Sequence, residues 1–384
     1  MSGLLAFAAC GGGSGTAPAV PLSSAPNETY IAEVQGSTPS SPLVDQVVTV
    51  SGIVTGDFQE DDADEASNLG GFYLQQDPAD TSTETSDAVF VFDGLNPATD
   101  VAPGDRVTVR GKVQEYYGET QIVDPEITVT GKGIVQPIDI TLPTAAGIIN
   151  SDGDPVADLE RYEGMLVRFP QSLTVTDLHN LERYGAVTLS QGGRLYQFTN
   201  GERPGKAGYA AHKIANAHRI IELDDGLRVS NPAVIRYLTA GSEPGYSIRA
   251  GDAIKGVTGN LRFSRGSGGD GDATWRLMPT TAPRLDALNP RPGAPDIGGN
   301  LRVASFNVLN FFSTLDNGRD VCGPQGNENC RGADSTAEQR RQLQKTVTAL
   351  ALLDADIVGL MELENNATES LEMLVDALND RVGD

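Results

Sequence analysis

Asn307 and Glu362 stand at the ends of two apolar runs late in a chain of 384 residues. LRVASFNVLNFF (301–312) has the pattern of a buried strand interrupted by one amide. Such an amide needs a partner, because burying it unpaired is costly. DADIVGLMELE (354–364) opens with a turn, becomes a continuous apolar strand and ends at Glu362, with Glu364 and Asn365 just beyond. A carboxylate there is the donor type that a hard divalent cation takes. Alternatively, Glu362 merely ends the strand and caps the next turn. Cys322 and Cys330 bracket the turn-rich CGPQGNENC. No His or third Cys accompanies them, so the pair favours a disulfide over zinc, with two free thiols as the other reading. His179, His212 and His218 have no metal-ligand spacing and read as structural.

The elements around these residues are legible. Ser335 to Glu338 has the form of a capping box. Residues 336–353 follow with helical periodicity, placing Leu343, Val347, Leu350 and Ala351 on one face. ATESLEMLVDALND (367–380) reads as a second amphipathic helix. Upstream, a Pro- and Gly-rich linker covers 286–300.

Residues 29–133 read as a β module. Strands are expected at 47–58, 70–76, 88–94 and 101–123, the last broken near Gly118, with ITVTG (127–131) closing the set. Five short strands with Gly, Pro and Asp turns suggest a small closed barrel, and their order resembles an OB-fold. Phe72, Tyr73, Phe90, Phe92, Tyr116 and Tyr117 are then candidates for stacking on bases. Two observations weigh against that use. Alternate aromatics on strands usually face a core, and 29–133 holds 19 acids against 4 bases. The acidic run EDDADE (60–65) lacks EF-hand spacing and reads as a solvated loop.

Residues 137–285 read as a second, OB-like module. IRAGDAIKGVTGNLRFSRG (248–266) echoes VAPGDRVTVRGKVQEYYGE (101–119). Strands are expected at 162–177, 185–190, 194–200 and 274–279, with a long insertion at 201–247. This module and its insertion hold most of the positive charge, including Arg228, Arg236, Arg249, Arg262, Arg265 and Arg276. That charge supports either a polyanion-facing patch or an evenly paired mixed surface. SDGD (151–154) and GDGD (269–272) read as turns.

Net charge is −24, which argues against a general DNA-coating protein. No apolar run is long enough to predict a membrane-spanning helix. Residues 1–28 read as a leader and tether, with a short apolar run from Leu4 to Ala9 just before Cys10. The segment resembles a bacterial lipoprotein signal with Cys10 lipidated; a leader without lipid is the alternative. Both readings place the mature chain outside the cytoplasm, secreted or on the cell surface.

ASFNVLNFF, the Cys loop, RGADS and GLMELEN occur in the order that resembles the opening of an endonuclease/exonuclease/phosphatase domain. The arrangement is similar to secreted bacterial nucleases in which β-barrel modules precede that domain. The resemblance implies OB-like β barrels followed at 301–384 by the start of an α/β sandwich. It implies a metal-dependent nuclease acting on DNA, and on RNA as a further substrate, with low sequence specificity. Asn307 would orient the scissile phosphate and Glu362 would bind Mg²⁺ or Mn²⁺, with Ca²⁺ as a further candidate; Glu364 and Asn365 are secondary candidates. The family also needs an Asp/Asn pair and a late Asp-His that residues after Glu362 do not supply, so the chain is expected to be an N-terminal fragment, inactive alone. No protein partner is expected, and membrane contact only through a lipid on Cys10. The alternatives are a surface-anchored β-module scaffold, or a hydrolase of the same superfamily acting on other phosphate esters such as a lipid head group.

Overall fold

A computed structural model describes residues 28–59, 68–80, 82–232, 234–238, 247–267, 271, 273–293 and 295–383. Cys10, the leader, EDDADE and most of GDGD lie outside the described residues. The chain forms two compact units, Met1–Pro290 and Arg291–Asp384.

Unit 1 begins with α1 (Ile31–Gln35), then β1 (Val47–Phe58), β2 (Gly71–Gln75), β3 (Ala88–Phe92), β4 (Asp105–Tyr116) and β5 (Glu119–Lys132). These strands close into a barrel in the order β1-β2-β3-β5-β4. Every neighbouring pair is antiparallel except β3 and β5. The alternation in β4 sets its facing: Val107, Val109 and Val113 are fully buried, while Arg110, Lys112 and Gln114 point outward. A bulge at Val54–Gly56 bends β1 so that its first half pairs with β4 and its second with β2. Ile31 and Val34 of α1 join the barrel core. One expectation is corrected here. The break at Gly118 is a hairpin, with Tyr117 and Gly118 both at positive φ, so 119–123 and ITVTG form one strand, β5.

The chain continues through β6 (Ile138–Asp139), β7 (Gly147–Ile149), β8 (Pro155–Ala157), β9 (Leu166–Asp177), α2 (Leu181–Tyr184), β10 (Val187–Ser190), α3 (Lys206–Ala217), β11 (Ile220–Leu223), β12 (Ala253–Ser264), β13 (Thr274–Pro279) and β14 (Arg284–Asp286). β9 pairs with β10, β10 with β11, β11 with β13, β13 with β12, and β12 again with β9. Within this ring β11–β13 is the parallel pair, and β6 adds to β9 in parallel outside it. This ring repeats the order and sense of the first, so both modules are OB-like. Phe169, Leu173, Leu223, Trp275 and Leu277 fill it, and the Trp275 indole donates to the Ala157 carbonyl at 2.7 Å. The echo between 101–119 and 248–266 has a structural meaning, since β4 and β12 hold equivalent places. A second expectation is corrected. Residues 194–200 form no strand, and 198–200 is a single 3₁₀ turn. The third strand is β11, inside the stretch read as an insertion.

The rings meet through an apolar cluster, in which Met278 packs with Phe58, Tyr73 and Phe90, and through polar contacts. The Asn260 amide donates to Thr55 Oγ1 at 2.8 Å and to the Gly164 carbonyl at 3.1 Å. Gly56 admits this approach, because a Cβ there would sit 2.2 Å from Asn260 Oδ1. Glu163 Oε1 accepts from the Thr120 N–H at 2.9 Å, and Oε2 is buried without a hydrogen-bond partner. Burial, then the facing carboxylates of Glu160, Glu119 and Glu115, push the Glu163 pKa well up. Burial likewise raises Glu160 to about 7, Asp225 to about 7 and Asp93 to about 6. A carboxyl that holds its proton more tightly when folded stabilises fully below its ordinary range and loses that stability as pH rises through the folded value. Asp105, Asp139 and Asp286 shift the other way, held down by hydrogen bonds from Lys132, Arg168 and Lys255, so their contribution is lost in acid. The melting temperature is therefore expected to fall by about 5 °C or more between pH 5 and pH 8. Calorimetry across that window checks it: Glu163→Gln is expected to flatten the fall, and a rise in melting temperature contradicts this reading.

Unit 2 contains β15 (Val303–Phe311), β16 (Asp320–Cys322), β17 (Glu328–Asn329), α4 (Thr336–Leu353), β18 (Ile357–Leu363) and α5 (Glu369–Val382). β15 and β18 run parallel, and β16 and β17 form a small hairpin. Ser335 caps α4 by accepting from the Glu338 N–H at 3.3 Å, while Glu338 reaches back to the Asp334 N–H. Val308 and Phe311 pack against Val347, Leu350 and Leu374 of the two helices. Val303, Ile357 and Met361, on the opposite face of the strands, are exposed.

Candidate functional site

The parallel pair β15–β18 brings Asn307 and Glu362 to the same end of the strands. Asn307 is the register partner of Met361, and Phe311 that of Leu363. Between these pairings, residues 308–310 of β15 oppose Glu362 alone. Leu309, Asn310 and Glu362 all have positive φ, at 54°, 50° and 60°. This conformation is unfavourable for a residue with a β-carbon, and such departures cluster at functional sites. The ladder thus opens where the two candidate side chains emerge. Carboxyl ends of parallel strands are also where open α/β sheets place ligands.

Asn307 is not buried, contrary to the strand-interior expectation. It is exposed, and its Oδ1 accepts from the Leu309 N–H at 2.8 Å. That bond fixes the amide plane and helps hold the left-handed turn. Glu362 is exposed as well. The capping role weighed for it falls to Asn366, whose Oδ1 accepts from the Ser370 N–H at 3.2 Å. Glu364 is 4% exposed, and its Oε2 accepts from the Thr314 N–H at 3.0 Å, the Ser313 hydroxyl at 3.3 Å and the Ser370 hydroxyl at 3.2 Å. It ties the segment after β15 to the start of α5 through Oε2, while its Oε1 is buried without a hydrogen-bond partner. Asn365 is exposed in the turn after β18, whereas Asn366 joins the network, donating to Ser313 Oγ at 2.7 Å. Ser313, Asn366 and Ser370 were missed in the sequence. Three short polar residues on separate segments carry no spacing signal.

Among the described residues no group of three or more His, Cys, Asp or Glu is placed to hold a metal ion. Glu362 offers a single accessible carboxylate. That suits Mg²⁺ or Mn²⁺ where most positions are filled by water and a phosphate oxygen. The Cys322 and Cys330 sulfurs are joined in a disulfide that closes the β16–β17 hairpin.

Unit 1 sorts the stacking candidates by burial. Phe72, Tyr73 and Phe90 are core residues, Phe92 packs against them, and Tyr116 and Tyr117 are exposed at the β4–β5 hairpin. The basic residues of the second ring are partly committed. Arg262 pairs with Glu119 at 2.9 Å, and Arg276 pairs with Glu222 and Asp224. His212 lies within 3.1 Å of the Tyr196 carbonyl and 2.9 Å of the Asn216 amide, a structural setting. SDGD is a turn in which Asn150 Oδ1 accepts from the Asp152 and Asp154 N–H groups. Among the described residues no helix is long and apolar enough to cross a membrane.

No family model matches the chain, and no curated protein sequence matches it. Among solved structures, a crystal structure of fission yeast Pot1 with ssDNA aligns at 12% identity, over 64% of this chain and 84% of that one. The TM-score is 0.24, too low for the likeness to carry an argument about ligand or activity.

Proposed function

We propose that unit 2 supplies the metal-binding and phosphate-orienting side of a metal-dependent phosphodiesterase site acting on nucleic acid. One observation carries the reading: the opened end of the β15–β18 ladder, where Asn307 and an uncommitted carboxylate, Glu362, emerge from left-handed backbone. The motif order ASFNVLNFF, RGADS, GLMELEN agrees with it. Glu362 would hold Mg²⁺ or Mn²⁺, which when bound neutralises charge on a phosphoryl oxygen. Asn307 keeps its Oδ1 on the Leu309 N–H, so its NH₂ is presented to a phosphate oxygen in a fixed direction. Glu364 positions the strand end without touching substrate. Residues 291–384 contain no His, and water activation is assigned to none of them. A disulfide in unit 2 supports an oxidising, extracytoplasmic location.

The test reads binding rather than turnover. A phosphorothioate DNA is titrated onto the chain with and without Mn²⁺. Mn²⁺ is expected to strengthen binding, and Asn307→Ala is expected to remove about tenfold of that gain, the loss of a hydrogen bond to a charged group. A gain unchanged by Asn307→Ala sinks the role given to this amide.

A further inference from the structure

We propose that unit 1 carries a binding surface for single-stranded nucleic acid, running along two adjoining clefts that share Arg265, Gly266, Ser267 and Arg276. The first cleft, about 510 Å³, lies between the β4–β5 hairpin of the first ring and Ser264–Ser267 at the end of β12 in the second. The second, about 710 Å³, lies on the second ring between the β9–β10 connection, residues 194–200 and α3. Connections of this kind are the ones OB-type barrels use for oligonucleotides and oligosaccharides.

The aromatic side chains carry the argument. Four tyrosines are the exposed aromatics among the described residues: Tyr116, Tyr117, Tyr196 and Tyr209, at 49, 62, 58 and 51%. The first two line the first cleft and the other two line the second. A soluble fold gains by burying such rings, as it buries Phe72, Tyr73 and Phe90. Their collection along one connected surface fits platforms for unpaired bases, whose π-faces stack without regard to sequence.

Charge selects the occupant. The two clefts are lined by six cationic side chains and five acids, in a chain whose net charge is −24. Arg276 is buried and Arg262 half-buried, each with acid partners. Arg194, Lys213, Arg228 and Arg265 lie nearer solvent. Arg265 sits 5.9 Å from the Tyr117 ring centroid and Arg194 5.4 Å from that of Tyr196. Arg265 and Lys213 are paired with Asp152 and Asp154, and exposed pairs of this kind are weak enough to exchange for phosphates. Rings flanked by cations suit a polyanion with exposed bases better than a neutral sugar chain. A duplex, which keeps its bases stacked inside, cannot use the rings.

The proposal does not depend on the metal site, and its test excludes metal. Fluorescence anisotropy of a labelled dT oligonucleotide is followed against the 384-residue chain in EDTA at low salt. Saturable binding is expected, weakened about tenfold by Tyr117→Ala and again by Tyr196→Ala. Both sites are exposed, so both variants are expected to keep the wild-type circular dichroism and melting. An excess of duplex is expected to compete poorly. Absence of binding overturns the proposal, and so does binding that the double variant leaves unchanged. Binding of a maltooligosaccharide in place of the oligonucleotide overturns the class of ligand.

Discussion

Arg262→Ala is expected to lower the unfolding free energy of the rings by about 3–5 kcal/mol, the loss seen when one member of a buried ion pair is removed. Glu119 is 1% exposed. Its Oε2 accepts from Arg262 Nε at 3.0 Å and from the Gln121 amide at 2.9 Å, and its Oε1 from the Tyr73 hydroxyl at 2.9 Å. Without the guanidinium, the carboxylate keeps neutral donors and no counter-charge. Arg262 belongs to β12 and Glu119 to β5, so the pair also spans the two rings. Urea unfolding followed by Trp275 fluorescence measures the change, since that indole lies in the second ring's core. Arg262→Met combined with Glu119→Gln is expected to recover most of it, because replacing both charges leaves none stranded. A loss below about 1 kcal/mol for Arg262→Ala means that water reaches Glu119 in solution.

Much of the fold was written in period and punctuation. Alternating Val107, Val109 and Val113 marked β4, and TWRLMP marked β13. The Gly-Asp turns before β4 and β12 exposed the shared plan of the two rings. The errors have physical causes. Gly118 was read as a break within a strand, although a Tyr-Gly pair at positive φ reverses the chain outright. RLYQFTN has strand-like composition, yet Tyr196 faces solvent and Phe198 packs its ring 6.2 Å from that of Tyr209 on α3. IIEL, only four residues long and directly after a helix, gave too short a signal to claim the third strand.

The candidate site was legible in type but not in placement. Asn307 looked like a buried amide because its neighbours are apolar. The outer face of β15 is exposed, however, and its amide bonds within its own strand. Glu362 and Glu364 are equivalent in sequence. The bulge separates them, turning one to solvent and burying the other on three donors. The tyrosine-lined clefts depend on residues about 80 positions apart, beyond any local pattern.

The larger functional effect is expected at Glu362. Glu362→Gln keeps the size and exposure of the side chain while removing the exposed charge that a hard cation can use there. The substitution touches no hydrogen bond of the Glu364 network, so the fold is expected to be unchanged. Replacing even an outer partner of a metal ligand costs about 10–100-fold in affinity, and loss of the ligand's charge is expected to cost at least as much. The central claim is therefore tested most directly by electron paramagnetic resonance of free Mn²⁺ during titration of the chain and of Glu362→Gln. The expected result is saturable Mn²⁺ binding by the native chain, weakened at least about tenfold in the variant. Equal binding by the two proteins, or none by either, contradicts the metal role of Glu362 and with it the proposed phosphodiesterase site.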